Sequence, residues 1–317
     1  MRQIPATSIL LALLLSTTAI ANADDHSDAK LAAAFDKALS KLPKPFPNER
    51  HVHDAAKTFT DVHNDAAAVA FLKKVALEDF RGRMSLERQL AGFIGLALLA
   101  GKHDTATFLK SQIGTKKFRY SPAVFLGVTH LPTKVARKIA EEMAADAKLK
   151  WTKQLDYLQL LRAVGDADTL KKLKALPRDT SGKHVLQFRD RTAWYIKKRL
   201  SLKKPEQDRW ARQELLFVQI GHWGPGFRSV NSSIRWGAQQ IHSVEKDVSV
   251  DLLKAKLSVD RDASGWLIQN EVPVAAVLAS LQKNNELLPL IEQWGERDYG
   301  YVRSVCLWVA KQMRGKK

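Results

Sequence analysis

The chain has 317 residues, 45% of them apolar and 26% charged, with 51 Lys and Arg against 33 Asp and Glu and one cysteine. A single cysteine excludes an internal disulfide, so stability has to come from burial, and the length suffices for one long solenoid or two compact domains. The basic excess implies an anionic partner or surface, or else plain solubility, and says nothing about fold.

Residues 1–23 read as a secretory signal. Arg2 precedes the apolar run Ile9 to Leu15, polar Ser16, Thr17 and Thr18 follow, and Ala21-Asn22-Ala23 supplies a small-residue cleavage pattern with Asp24 as the expected mature N-terminus. Seven apolar residues, rising about 1.5 Å each, fall short of the roughly 30 Å of a bilayer core. Cys306, the one cysteine, is far from the cleavage point, so no lipid anchor is expected. The expected address is periplasmic or secreted, without a transmembrane segment. Removing Arg2 leaves 50 basic residues against 33 acids, a net of +17.

From Asp24 onward nearly every segment reads as helix, and no run of alternating β-branched residues argues for a strand. Ser27 is placed to cap a helix whose stripe is Leu31, Phe35, Leu39 and Leu42, stopped by Pro43, Pro45 and Pro47. A short helix follows over 49–59, and Asn64 is the expected cap of a run through Val69, Phe71, Leu72 and Val75. Ser85 opens the most apolar stretch, with Leu86, Leu90, Phe93, Ile94, Ala97 and Leu98 inward. Ala91, Gly92 and Gly95 would let a neighbour approach closely, and Gly101 marks the end.

A short string then repeats. Gly101, Asp104-Thr105 and Leu109-Lys110 return as Gly165, Asp168-Thr169 and Leu173-Lys174, with a helix through Val135, Ile139 and Met143 between them. The 64-residue offset makes two helical pairs of about 32 residues, the size of one solenoid repeat. The polar stretch 178–184 is the expected connector between N-terminal repeats, 24–177, and C-terminal repeats, 185–317. Beyond it, helices are expected over 189–200, 205–221, 250–257, 272–282, 286–294 and 301–313, with a rigid turn at Trp223-Gly224-Pro225-Gly226.

A longer echo joins two C-terminal segments. Glu214-Leu215-Leu216, Trp223-Gly224, Arg228 and Ile234-Arg235 recur as Glu286-Leu287-Leu288, Trp294-Gly295, Arg297 and Val302-Arg303. In each copy an apolar helix ends near Trp-Gly and the next opens on a branched aliphatic followed by Arg. The pair resembles HEAT or armadillo repeats, in which a Val-Arg step often follows an acid; Asp298 supplies that acid before Val302-Arg303, and Ser229 stands in its place in the other copy. The fold class expected is all-α, an irregular α-α superhelix of antiparallel helix pairs. Trp294, Trp223 and the repeating arginines are read as structural.

Motifs for chemistry are few. Thr180-Ser181-Gly182-Lys183-His184 resembles the end of a P-loop, but Pro177 and His184 stand where the motif needs Gly and a hydroxyl. His51, His53 and His63 with Asp54, Asp61 and Asp65 offer imidazole and carboxylate, yet residues two apart point about 200° apart on a helix. No Gly-x-Ser-x-Gly elbow or His-Glu-x-x-His pair occurs, so neither catalytic residue, metal nor cofactor is expected. Cys306, between Val305 and Leu307, reads as a buried small hydrophobe.

The charge is concentrated. Between Lys148 and Arg212 stand 18 Lys and Arg against 7 Asp and Glu, and all eight tryptophans lie after residue 150. Lys197, Lys198, Arg199, Lys203 and Lys204, with Trp194 and Trp210 beside them, form the candidate contact for an anionic surface. The function expected is an exported, non-enzymatic helical-repeat scaffold binding another protein, in one form an immunity or inhibitor protein. The alternative is a receptor for an anionic polymer such as wall glycan, lipopolysaccharide or nucleic acid.

Overall fold

The computed structural model describes residues 28–43, 48–78, 83–115, 122–176, 183–222, 230–259 and 265–315. The expected signal, the Ser27 cap, most of the connector, and the turn at 223–226 with Arg228 lie outside them. All regular structure among the described residues is helical. In chain order these are α1 (28–39), α2 (Glu49–Val62), α3 (Ala66–Ala76), α4 (Arg83–Leu98) and α5 (Thr105–Gln112). There follow α6 (Ala123–Thr129), α7 (Thr133–Ala145), α8 (Trp151–Val164), α9 (Ala167–Ala175), α10 (Lys183–Leu200) and α11 (Lys204–His222). Then come α12 (Val230–Val244), α13 (Val250–Leu257), α14 (Gly265–Leu281), a 3-10 turn (Asn285–Leu287), α15 (Leu288–Glu296) and α16 (Gly300–Arg314). No described helix is long and apolar enough to cross a membrane.

The chain divides into two compact units between Leu109 and Lys110, not at 178–184. α8, before the expected connector, packs on α10 and α11 after it, so helices on both sides share one core. A polar stretch marks a surface crossing, and surface crossings occur inside domains as readily as between them.

In the N-terminal unit Phe35, Phe59 and Phe71 meet with ring centroids 5.2 to 5.8 Å apart, joining α1, α2 and α3. Each such ring removed from water contributes about 1.5–3 kcal/mol. Arg88 on α4 ion-pairs with Asp36 and Glu78. The expected glycine contacts exist: a Cβ on Gly92 would stand 3.0 Å from the Ala76 backbone nitrogen, and one on Gly95 3.1 Å from Leu72. The cap of α3 is Asp65, whose carboxylate accepts from the Ala68 N–H at 2.8 Å, instead of Asn64. α2 runs to Val62, past the expected 59.

In the C-terminal unit α8 is buried from Gln154 to Val164 and packs on α7, α10 and α11. Its C-terminal carbonyls, which have no helical N–H to accept from, are met by two guanidinium groups: Arg137 donates to Val164 O at 2.6 Å, and Arg199 donates to Ala163 O at 2.5 Å and to Gly165 O. Positive charge there also opposes the negative end of the helix dipole. Farther on, α12 packs on α14 and α14 on α16, while α13 packs on α14 and α15, and α15 on α16.

α14 begins at Gly265, seven residues before the expected 272, and carries Pro273 inside it. Proline has no N–H for the Gln269 carbonyl four residues back. The Tyr301 hydroxyl from α16 donates to that carbonyl at 2.8 Å.

The long echo is kept only in part. Ile234 and Val302 are both buried beside exposed Arg235 and Arg303. Arg235 lies over the Trp308 ring at 4.0 Å, and Arg303 donates to Gly295 O at 3.2 Å at the end of α15. Trp294 fills an inter-helix layer as expected, its indole N–H donating to Leu257 O at 2.8 Å. Glu214 and Glu286 differ: the first is buried mid-helix in α11, the second exposed in the 3-10 turn.

Candidate functional site

Five helices of the C-terminal unit converge on two buried ion pairs. Arg162 of α8 is wholly enclosed, its guanidinium held between the Phe188 and Tyr195 rings of α10, 4.6 Å from each centroid. Its Nη1 pairs with Glu271 Oε1 of α14 and stands 3.8 Å from Glu214 Oε1 of α11. Lys256 of α13 places Nζ 2.8 Å from Glu214 Oε2 and 4.3 Å from the Phe217 ring centroid. That ammonium is the near countercharge of Glu214 Oε2. The Tyr195 hydroxyl is 3.5 Å from Glu271 Oε2.

Two charges are set by this company. Burial pushes the Glu271 carboxyl up, but Arg162, Lys256 and Arg191 together outweigh it and hold it below its ordinary range. Burial pushes Arg162 down, and Glu271, Tyr195 and Glu214 raise it above its usual value. Glu271 is thus kept as a carboxylate and is no proton donor near neutral pH. Burial and the charge of Glu271 also hold the Tyr195 phenol well above its usual range.

The paired charges floor a cavity of about 380 Å³ among α8, α11, α12, α13, α14 and α16. Its walls are apolar and aromatic, from Phe217, Ile220, Ile234, Trp236 and Val274. Glu214, Lys256 and Glu271 line one side, with Asp156 and Lys153 paired at 3.1 Å. Gln159, only 8% exposed, also lines the cavity, and its carboxamide oxygen is enclosed without a hydrogen-bond partner. Gly221 also lines the cavity, and a Cβ added there would meet nothing within 4 Å.

The residues expected to form an anion-binding surface separate into two groups. Lys197, Lys203 and Lys204 are exposed and Lys198 half-buried; Lys204 pairs with Asp208. Trp194, 39% exposed, carries the Arg191 guanidinium at 4.4 Å and Lys198 Nζ at 5.5 Å from its ring centroid. Arg199 and Trp210 turn inward: Arg199 is the cap of α8 described above, and Trp210 is buried against Tyr195. The wider belt is also less free than its local count suggests. Arg162, Arg189 and Arg199 are buried, and Lys172, Arg209 and Arg212 pair with Glu141, Asp247 and Glu245 from outside the window.

The histidine group of α2 is spent on local bonds. His51 Nδ1 accepts from the Asn48 N–H in a capping box, and His53 bonds Asp54. Among the described residues no three His, Cys, Asp or Glu side chains converge to hold a metal.

The cavity residues were not singled out from sequence. By sequence Arg162 is one of the 18 cations between Lys148 and Arg212, and Glu214 is a landmark of the long echo. The available signal was their setting: Glu271 is the only charged residue in α14, and Arg162 follows Leu160-Leu161 in a helix buried all round. Comparison with known proteins found no matching family model, no matching curated protein and no matching solved structure.

Proposed function

We propose that this chain is an exported binding protein on a helical-repeat scaffold, and that recognition is centred on the cavity of its C-terminal unit. The supporting observation is the cavity itself, with apolar and aromatic walls and charges already paired with one another. Such an arrangement presents fixed dipoles to a guest instead of handing over protons. The layering of α12, α14 and α16, with α13 and α15 beside them, supports a superhelix of helix pairs as the scaffold. The expectation of a protein partner is thereby narrowed to a guest small enough for the cavity, free or displayed on a larger partner.

Gly221→Trp tests this reading, because Gly221 lines the cavity and a Cβ there meets nothing within 4 Å. Native mass spectrometry of gently purified protein should show a small-molecule adduct on the wild type and none on the folded variant. The same adduct on both, or none on either, would end the proposal.

Trp194, with cations over its ring and Lys197, Lys198 and Lys203 nearby, favours a second reading as a weak contact for an anionic polymer. Lys197, Lys198, Lys203 and Lys204 changed together to Gln should abolish retention on lipopolysaccharide, peptidoglycan or DNA without unfolding the chain. Unchanged retention on all three removes that reading.

A further inference from the structure

We infer that the guest of the cavity is a small uncharged molecule with an apolar body; the inference rests on reading the cavity as a binding site. Phe217 and Ile220 of α11, Ile234, Trp236 and Ile241 of α12, and Val274 of α14 supply aromatic and branched aliphatic wall. Gly221 is exposed, and Phe217 and Trp236 beside it are half-buried, so this apolar surface reaches the solvent at the mouth. A guest that covers such surface releases the water against it, and the gain grows with the apolar area buried.

The polar groups around the cavity are already engaged within the protein. Lys153 pairs with Asp156 at 3.1 Å, Lys256 with Glu214 at 2.8 Å, and Glu271 with Arg162. Arg191 is a fourth cation whose charge also acts on Glu271, but it stands outside the cavity. Its guanidinium lies 4.4 Å from the Trp194 ring centroid and donates to Ala255 O. The Tyr301 hydroxyl is committed to the Gln269 carbonyl that Pro273 leaves open. The Gln159 carboxamide oxygen is enclosed, out of a guest's reach.

A guest ion would either stay uncompensated or draw a partner out of an existing pair, and in both cases its lost hydration is not repaid. A neutral apolar body loses little hydration and needs no partner. The apolar wall thus supplies the binding, and the self-paired charges exclude ions. An apolar cavity of about 150 Å³ takes one benzene ring, so about 380 Å³ suits two fused rings or an alkyl chain of similar bulk.

The test uses the full chain near neutral pH. Indole and benzyl alcohol are the neutral probes, with benzoate and benzylammonium as ions of matching bulk. Saturation-transfer NMR titrations should show indole bound and each ion at least about tenfold weaker than benzyl alcohol. Gly221→Trp should abolish the indole signal. Asp156→Asn, which takes the carboxylate from the Lys153 ammonium, should raise the affinity of benzoate relative to benzyl alcohol by about tenfold. Ions bound as tightly as benzyl alcohol, or in place of both neutral probes, overturn the inference and leave the cavity as a binding site. Indole bound equally by folded Gly221→Trp lies elsewhere on the surface and overturns the inference as well. An unchanged ratio in folded Asp156→Asn overturns the paired charges as the cause of the exclusion. Binding of no probe removes both the inference and the reading of the cavity as a binding site.

Discussion

Glu271→Gln is the sharpest perturbation of the C-terminal unit. It keeps the side-chain shape but leaves Arg162 wholly enclosed between two rings, with only Glu214 Oε1 at 3.8 Å as a countercharge. Removing one partner of a buried pair costs about 3–5 kcal/mol, because the other charge stays dehydrated and uncompensated. The unit runs from Lys110 to the C-terminus, and for units of roughly 200 residues each kcal/mol moves Tm by about 2–4 °C, so a fall of roughly 6–20 °C is expected. Urea unfolding followed by circular dichroism would measure it. The double change Arg162→Met with Glu271→Leu should recover most of the loss, since it removes both charges and leaves the Lys256–Glu214 pair in place. A cost below about 1 kcal/mol for Glu271→Gln would refute the view that Glu271 is the charge holding Arg162.

The same pair predicts a pH response. The folded Glu271 carboxyl binds its proton less tightly than the unfolded one. Its stabilisation is therefore complete above the unfolded pKa of about 4.3 and is lost as pH falls through the lower folded value. The wild type should lose stability more steeply than Glu271→Gln in that acid range, measured as Tm against pH; parallel curves would contradict it.

Gly165→Ala should cost about 1–3 kcal/mol, because a Cβ there would stand 2.6 Å from Leu161 O and 2.7 Å from Ile196 Cδ1; an unchanged urea midpoint would show that the turn after α8 yields easily. Arg303→Ala should cost about 0.5–1.5 kcal/mol by releasing the Gly295 carbonyl, and unaltered melting would remove it from the structural residues. Burial pushes the Cys306 thiol up to about 12, so a disulfide reagent at pH 8 should label it only as the unit unfolds, and rapid labelling of the folded protein would disprove its enclosure.

The candidate site was much less legible than the helices. Lys197 and Arg199, two positions apart on one helix, carry the same kind of charge, yet one faces solvent and the other caps α8. Their difference lies in what α8 presents to α10, and no local pattern contains it. The count of cations over acids failed for a related reason: Glu141, Glu245 and Asp247 reach the belt from outside it. Gln159 was invisible altogether, since an unmatched amide is defined only by what fails to surround it.

By itself the sequence determined the local facts. Apolar spacing near 3.6 residues and the absence of strand patterning made the chain helical, and proline, glycine and acidic caps set most ends to within a few residues. Gly92 and Gly95 announced a close helix approach, and Trp294 a buried layer. Only the tertiary structure decided where the units divide, which charges are buried, and which five helices meet around Arg162. Those outcomes depend on contacts such as Arg162 with Glu271, 109 residues apart, whose electrostatic value exists only once the intervening helices exclude water.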